Sequence, residues 1–189
     1  MNKIICIVGM TGSGKSEVAD ELVRKDYKFV RFGQITLDIV KERGLEPSEE
    51  NEKPIREELR KEHGMGAFAT LNISKFDKLL KEGNVVADGL YSWSEYKILK
   101  EYYKERLTVL AILSPPELRY KRLSKRTQID EKMRSRPATR EQARSRDFAE
   151  IENIEKGGPI AMADYYIVNT GSKEELMEKT KEFLEKMKE

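Results

Sequence analysis

Gly9-Met10-Thr11-Gly12-Ser13-Gly14-Lys15-Ser16 is the stretch on which the reading of this chain turns. It fits G-x-x-x-x-G-K-[ST] in full. Its glycines let the backbone turn so that successive N–H groups face inward and form a nest for an anion. Lys15 supplies a point charge suited to the β- and γ-phosphates of a triphosphate, and the Ser16 hydroxyl suits a magnesium ion on them. A chance match is expected in roughly one chain of this length in a hundred. A chance turn would not need the flanks seen here. Ile4-Ile5-Cys6-Ile7-Val8 reads as a strand buried on both faces. Gly14 to about Lys25 reads as a helix whose N-terminus favours the same anion. The loop, with Met10, Thr11, Ser13 and the next helical residue Glu17, is expected to hold ATP with Mg²⁺.

Moving outward, Phe29-Val30 is a second short strand, and Ile35 to Arg43 a helix stopped by Gly44 and Pro47. Two polar helices follow at about 51–62 and 66–81. Asn84 to Asp88, Leu107 to Leu113 and Tyr165 to Val168 supply three more strands, with a helix at about 93–103 and another opened by Pro115-Pro116. Ser172 to Glu175 has the form of a capping box for a last helix striped by Leu176, Met177, Phe183, Leu184 and Met187. Strands alternating with helices predict an α/β three-layer sandwich around a five-stranded parallel sheet. The segment 127–158 is charged and poor in large apolar residues, so it is expected to pack little against the core.

Two further features point to phosphate chemistry. Asp88 ends an apolar strand beside the first one, where a carboxylate can hold the magnesium shell through water. A turn residue is the plainer role, since Asp-Gly is common in turns. Arg119, Arg122 and Arg126 are spaced i, i+3, i+7, within about 60° around a helix. Between Arg119 and Arg146 there are eleven Lys or Arg against three acids. Cations packed together repel unless an anion joins them. These arginines, Arg134, Arg136, Arg140, Arg144 and Arg146 included, are therefore expected to complete a phosphate site from a lid. A solvated helix face is the alternative for any one of them.

In these residues the chain resembles the nucleoside monophosphate kinase and dephospho-CoA kinase branch of P-loop kinases, and within it an archaeal-type adenylate-kinase-related family. The resemblance spans nearly the whole length. It is carried by 9–16, Gly33, Leu59-Arg60-Lys61-Glu62, Asp88-Gly89, the arginine-rich stretch, and Ala163-Asp164-Tyr165-Tyr166-Ile167-Val168-Asn169-Thr170-Gly171-Ser172. It implies a single domain with its core at about 1–32, 82–126 and 159–189, an acceptor-binding region at 33–81 and a lid at 127–158. By the same resemblance Asn169, Gly171 and Ser172 line the base pocket. Gly33, Gly89, Tyr91 and either Arg56 or Arg60 face a nucleotide-like acceptor, and Lys15, Asp88, Arg122, Arg126 and Arg146 serve the transfer. For Arg56 and Arg60 a helical partnership with Glu52 or Glu57 is the alternative. A dephospho-CoA kinase carries an Asp after the second strand, whereas Arg31-Phe32-Gly33-Gln34 has no carboxylate. A phosphate acceptor, already ionised, needs none. Adenylate kinases place an arginine shortly after Asp-Gly, and Leu90-Tyr91-Ser92 has none. The expected activity is that of a nucleoside monophosphate kinase-like enzyme. The alternatives are dephospho-CoA kinase-like activity, or a P-loop ATPase switch associated with nucleic acid.

Composition trims the remaining options. In 189 residues with a net charge of +2 there is no apolar run long enough for a membrane span, and overall charge argues against nucleic acid as the main partner. The lone Cys6, within a strand, reads as a core residue, and the lone His63 as a helix C-terminal residue. A cytoplasmic monomer or homodimer is expected.

Overall fold

The computed structural model describes residues 1–125 and 138–187. The five apolar runs form β1 (Ile4–Val8), β2 (Lys28–Arg31), β3 (Val85–Asp88), β4 (Leu107–Leu113) and β5 (Tyr165–Val168). They pair in parallel throughout, in the order β2-β3-β1-β4-β5. Parallel neighbours need crossovers, and helices supply them. These are α1 (Lys15–Arg24), α2 (Gln34–Glu42), α3 (Glu49–His63), α4 (Ala67–Leu79), α5 (Trp93–Tyr103), α6 (Pro116–Ser124), α7 (Arg140–Ile154), α8 (Gly157–Ala161) and α9 (Lys173–Lys186).

Helices cover both faces, which explains why β1 is apolar at every position. Ile4, Cys6 and Val8 pack with Phe68, Phe76, Tyr96 and Leu99. Ile5 and Ile7 pack with Val18, Leu22, Leu176 and Phe183. In register, Ile7 lies opposite Asp88 on one side and Leu110 on the other. The loop after β1 and the carboxylate of Asp88 therefore emerge at the same edge of the sheet, where the strand order reverses and α/β proteins bind ligands.

Two expectations are corrected. The capping box at Ser172 is half formed. Ser172 Oγ accepts from the Glu175 amide at 3.3 Å, but the return bond is missing. The Glu175 carboxylate instead fills the space where a side chain at Gly171 would stand, with Oε2 1.9 Å from an added Cβ. Complete capping boxes occur at Ser92–Glu95 and Thr139–Gln142. The second correction concerns 127–158. From 138 onward this stretch docks firmly. Ala143 and Asp147 of α7 are buried beside Tyr120 and Leu123 of α6, and Gly158 presses on Trp93 of α5. Its contacts use charged pairs and small residues, which hydropathy does not register.

Candidate active site

Gly9, Gly12 and Gly14 have φ of 140°, 83° and 107°, so the loop turns as a nest should. The space around them is closed as well. An added Cβ at Gly9 would lie 2.4 Å from the Ile112 carbonyl oxygen, and one at Gly14 would lie 2.5 Å from Asn169 Nδ2. Gly14 is the N-cap of α1 and offers no side-chain acceptor, which leaves the first amides of the helix for an external anion. Ser16 is the second residue of α1. Glu17, the third, is turned away: its carboxylate pairs with Lys173 of α9.

The loop is braced from behind. Arg119 is 3% exposed. Its Nη1 donates to the Thr11 carbonyl at 3.1 Å and to Asp147 Oδ1 at 3.0 Å, its Nη2 to Asp147 Oδ2 at 2.6 Å, and its Nε to the Ser114 carbonyl at 3.1 Å. Asn169 Nδ2 donates to the Ser13 carbonyl at 2.8 Å, and Asn169 Oδ1 accepts from Arg122 Nη2 at 3.2 Å. Arg122 also donates to Ser114 Oγ at 3.0 Å. Arg119 thus acts as a strut behind the loop, with all three guanidinium nitrogens engaged. The Asn169 amide likewise supports the loop, and Ser172 caps α9. Of that group Thr170 does line a cavity of about 320 Å³, together with Met10, Pro115, Ile160 and Val168. Arg126, Arg134 and Arg136 lie outside the described residues.

In front of the loop the structure gathers charge from separate segments. Lys15 Nζ donates to the Met10 carbonyl at 3.2 Å. Burial, then the nearby Lys156 ammonium, pull its pKa down to about 7 from 10.5, and Asp88 opposes them. Asp88 is 7% exposed, and its Oδ1 is buried with no hydrogen-bond partner, an oxygen placed to take a cation or its water. Arg146 Nε donates to Glu150 Oε1 at 2.9 Å, and the other Glu150 oxygen accepts from Lys156. Lys156 lies 4.5 Å from the centroid of the Tyr91 ring. Burial would raise the Glu150 pKa, yet Lys156 and Arg146 hold it down at about 2, so Glu150 is an anion at any working pH. Lys15, Asp88 and Arg146 meet here, with Tyr91, expected on the acceptor side, beside them. Glu150, Lys156 and Asp147 were missed. The i, i+4 spacing of Arg146 and Glu150 was the one available signal for the first, and nothing local marked a lysine before Gly157-Gly158 as buried.

The residues expected on the acceptor side lie at the start of α2, on α3 and just after β3. Gly33 is the N-cap of α2, with open space around it. Gly89 has φ 106° and sits against the Tyr91 ring and Phe32. Arg56 pairs with Glu49 and, at 3.4 Å, with Glu52, so the helical partnership that was the alternative for it is present. Arg60 differs. It lies over the Phe68 ring, and its Nε is buried without a partner. Close by, Glu95 accepts from the Tyr91 and Ser92 amides while its Oε1 has no partner. Burial pushes its pKa up to about 7 against those two bonds.

Comparison with known proteins agrees with this architecture. The family model described as an AAA domain matches residues 5–156. A UPF0200 protein of Thermococcus gammatolerans is 36% identical over 186 residues, covering 97% of this chain and 95% of its own. Among solved structures, a shikimate kinase from Bacteroides thetaiotaomicron superposes with a TM-score of 0.60 at 13% identity, covering 99% of both chains. A sugar kinase from Janibacter gives 0.59 at 16% identity, over 98% of this chain and 95% of its own. At such identities these two establish the fold alone, a P-loop kinase-like sheet. The chain belongs to the AAA-domain family over residues 5–156 and, along almost its entire length, to the UPF0200 protein family.

Proposed function

We propose that the protein transfers the terminal phosphoryl group of ATP, with Mg²⁺, to a small nucleotide-like acceptor, in the manner of a nucleoside monophosphate kinase. The observation that carries this reading is the set of cations Lys15, Arg146 and Lys156 and carboxylates Asp88 and Glu150 at the mouth of the glycine-rich nest. The residues present suit the cofactor. The nest and the uncapped start of α1 would hold the phosphates, while Ser16 and the unpartnered Asp88 Oδ1 would hold the metal, the latter through water. Mg-ATP, when bound, supplies the transferable group and the metal's positive charge. Lys15 stabilises negative charge on the phosphate oxygens. α7 brings Arg146 beside Lys15 and Glu150, where its charge would offset that of the transferred group.

A phosphate acceptor fits better than a hydroxyl acceptor. No carboxylate follows β2 until Asp38, and that one accepts from Gln34 Nε2 at 2.8 Å. A nucleic-acid switch finds less support. Within the described part of the basic stretch, Arg119, Arg122, Arg140 and Arg146 all bond to internal partners. The test is ADP production from Mg-ATP with a panel of nucleoside monophosphates, dephospho-CoA and nucleosides. Production with at least one monophosphate, and none above the Lys15→Ala background with nucleosides, is the expected result. Background rates with every acceptor reject the reading.

Lys15 adds a pH dependence. With a pKa of about 7 it is mostly neutral at pH 8 in the free protein and regains its proton beside phosphate. ATP binding is expected to take up most of a proton at pH 8 and much less at pH 6. Calorimetry in two buffers of different ionisation enthalpy measures this, and equal heats at pH 8 would contradict it. The sign for the free protein follows. The contribution of Lys15 to folding is fully present above about 10.5 and is lost as the pH falls to about 7, because in that window only the unfolded chain holds the proton.

A further inference from the structure

Lys156 is where the molecule tolerates a cost that packing does not explain. Its side chain is 1% exposed, its ammonium pairs with Glu150, and the Tyr91 ring lies beneath it. A buried ion pair is generally no more stabilising than apolar side chains of similar volume. The backbone nevertheless works to put this lysine inside. Glu155, immediately before it, has φ 53°, a left-handed conformation costly for a residue with a Cβ. Gly158, just after it, lies so close to α5 that an added Cβ would stand 2.9 Å from the Trp93 ring.

The surroundings say what the ammonium faces. The Glu150 carboxylate is shared, one oxygen to Arg146 and one to Lys156. Glu150 lies one turn along α7 from Asp147, and Asp147 is locked to Arg119, which holds the Thr11 carbonyl of the nest. The α7 helix is thereby fixed with Glu150 turned toward the nucleotide loop. One carboxylate serves two cations, with the Lys15 ammonium as a third nearby.

We propose that Lys156 is a phosphate-binding residue of this site and that Glu150 is its resident counter-ion, displaced by a phosphate group of the bound nucleotide. The inference rests on the phosphoryl-transfer reading above. Glu150 makes the charge-assisted bonds to Lys156 and Arg146 that a phosphate oxygen would make. Glu150 keeps a 12% exposed side chain beside the 55% exposed Arg146, whereas Lys156 is enclosed and stays in place. Displacement therefore moves the Glu150 carboxylate toward the rim and leaves Lys156, with Arg146 beside it, to the phosphate.

Calorimetric titration of the full chain with Mg²⁺ and the β,γ-imido analogue of ATP, alongside thermal unfolding, tests this on wild type, Lys156→Met, Lys156→Arg and Glu150→Gln. Lys156→Met is expected to weaken binding about tenfold or more and to lower the melting temperature, since Glu150 loses one of its two cations, and Lys156→Arg to recover part of both losses. Glu150→Gln is expected to tighten binding about tenfold, since it removes the competitor. Wild-type affinity in Lys156→Met, or weaker binding in Glu150→Gln, overturns the proposal. If Lys156→Met does not fold, Glu150→Gln decides alone, and unchanged binding there counts against it. A wild type that binds no nucleotide sinks the phosphoryl-transfer reading and this inference together. One that binds it, with variants indistinguishable from it, sinks only the inference.

Discussion

Asp147→Ala is expected to destabilise the protein by about 3–5 kcal/mol, the usual result of removing one partner from a buried ion pair. Asp147 is 4% exposed and takes two bonds from Arg119 and one from the Tyr120 hydroxyl at 2.9 Å. Its loss leaves a guanidinium in the interior with only the Thr11 and Ser114 carbonyls as partners. For a chain of this size the melting temperature should fall by about 10 °C. Replacing both members by apolar residues, Arg119→Met with Asp147→Leu, should recover most of that loss, because the penalty comes from the stranded charge. Thermal unfolding of the single and double variants decides it. A single variant within about 1 kcal/mol of wild type would mean that Arg119 reaches water.

Asp88→Asn should leave the fold intact and lower turnover by about 10²–10³, the typical loss of one charge-stabilising contact in a phosphoryl-transfer site. The substitution preserves shape. Asp88 Oδ1 has no hydrogen-bond partner, so no internal bond is lost there, and melting should be unchanged or slightly higher. The carboxylate also raises the Lys15 pKa. Asparagine should therefore move proton uptake on nucleotide binding to lower pH, which links the two residues in one measurement. Wild-type turnover in Asp88→Asn would reduce Asp88 to a turn residue before Gly89.

The sheet was legible in the sequence because its signals are local. Five short apolar runs, each near a glycine, proline or polar break, read directly as strands, and β4 and β5 fall on the expected residues. The phosphate loop was legible for the same reason, since its turns are written in three closely spaced glycines, Gly9, Gly12 and Gly14. The arginines were not. Arg119 and Arg122 share a helix face as the spacing predicted, yet both turn inward to polar atoms supplied by Asp147, Ser114, Thr11 and Asn169. Those partners lie up to 108 residues away along the chain, and periodicity carries no trace of a partner at that distance. Lys156 shows the same limit from the other side. A lysine in a run of Glu and Gly reads as solvent-facing, and only the docking of α8 on α5 encloses it.

The bracing of the nucleotide loop bears on how the chain is made. Although β1 and the loop are synthesised first, β1 pairs with β3 and β4, and the loop's carbonyls at Thr11 and Ser13 are received by Arg119 and Asn169. A nascent chain emerging from the ribosome presents Gly9 to Ser16 long before these receivers exist. The loop is fully braced only when Asn169, just past β5, arrives, so premature termination upstream of β5 should yield a polypeptide that captures triphosphate poorly.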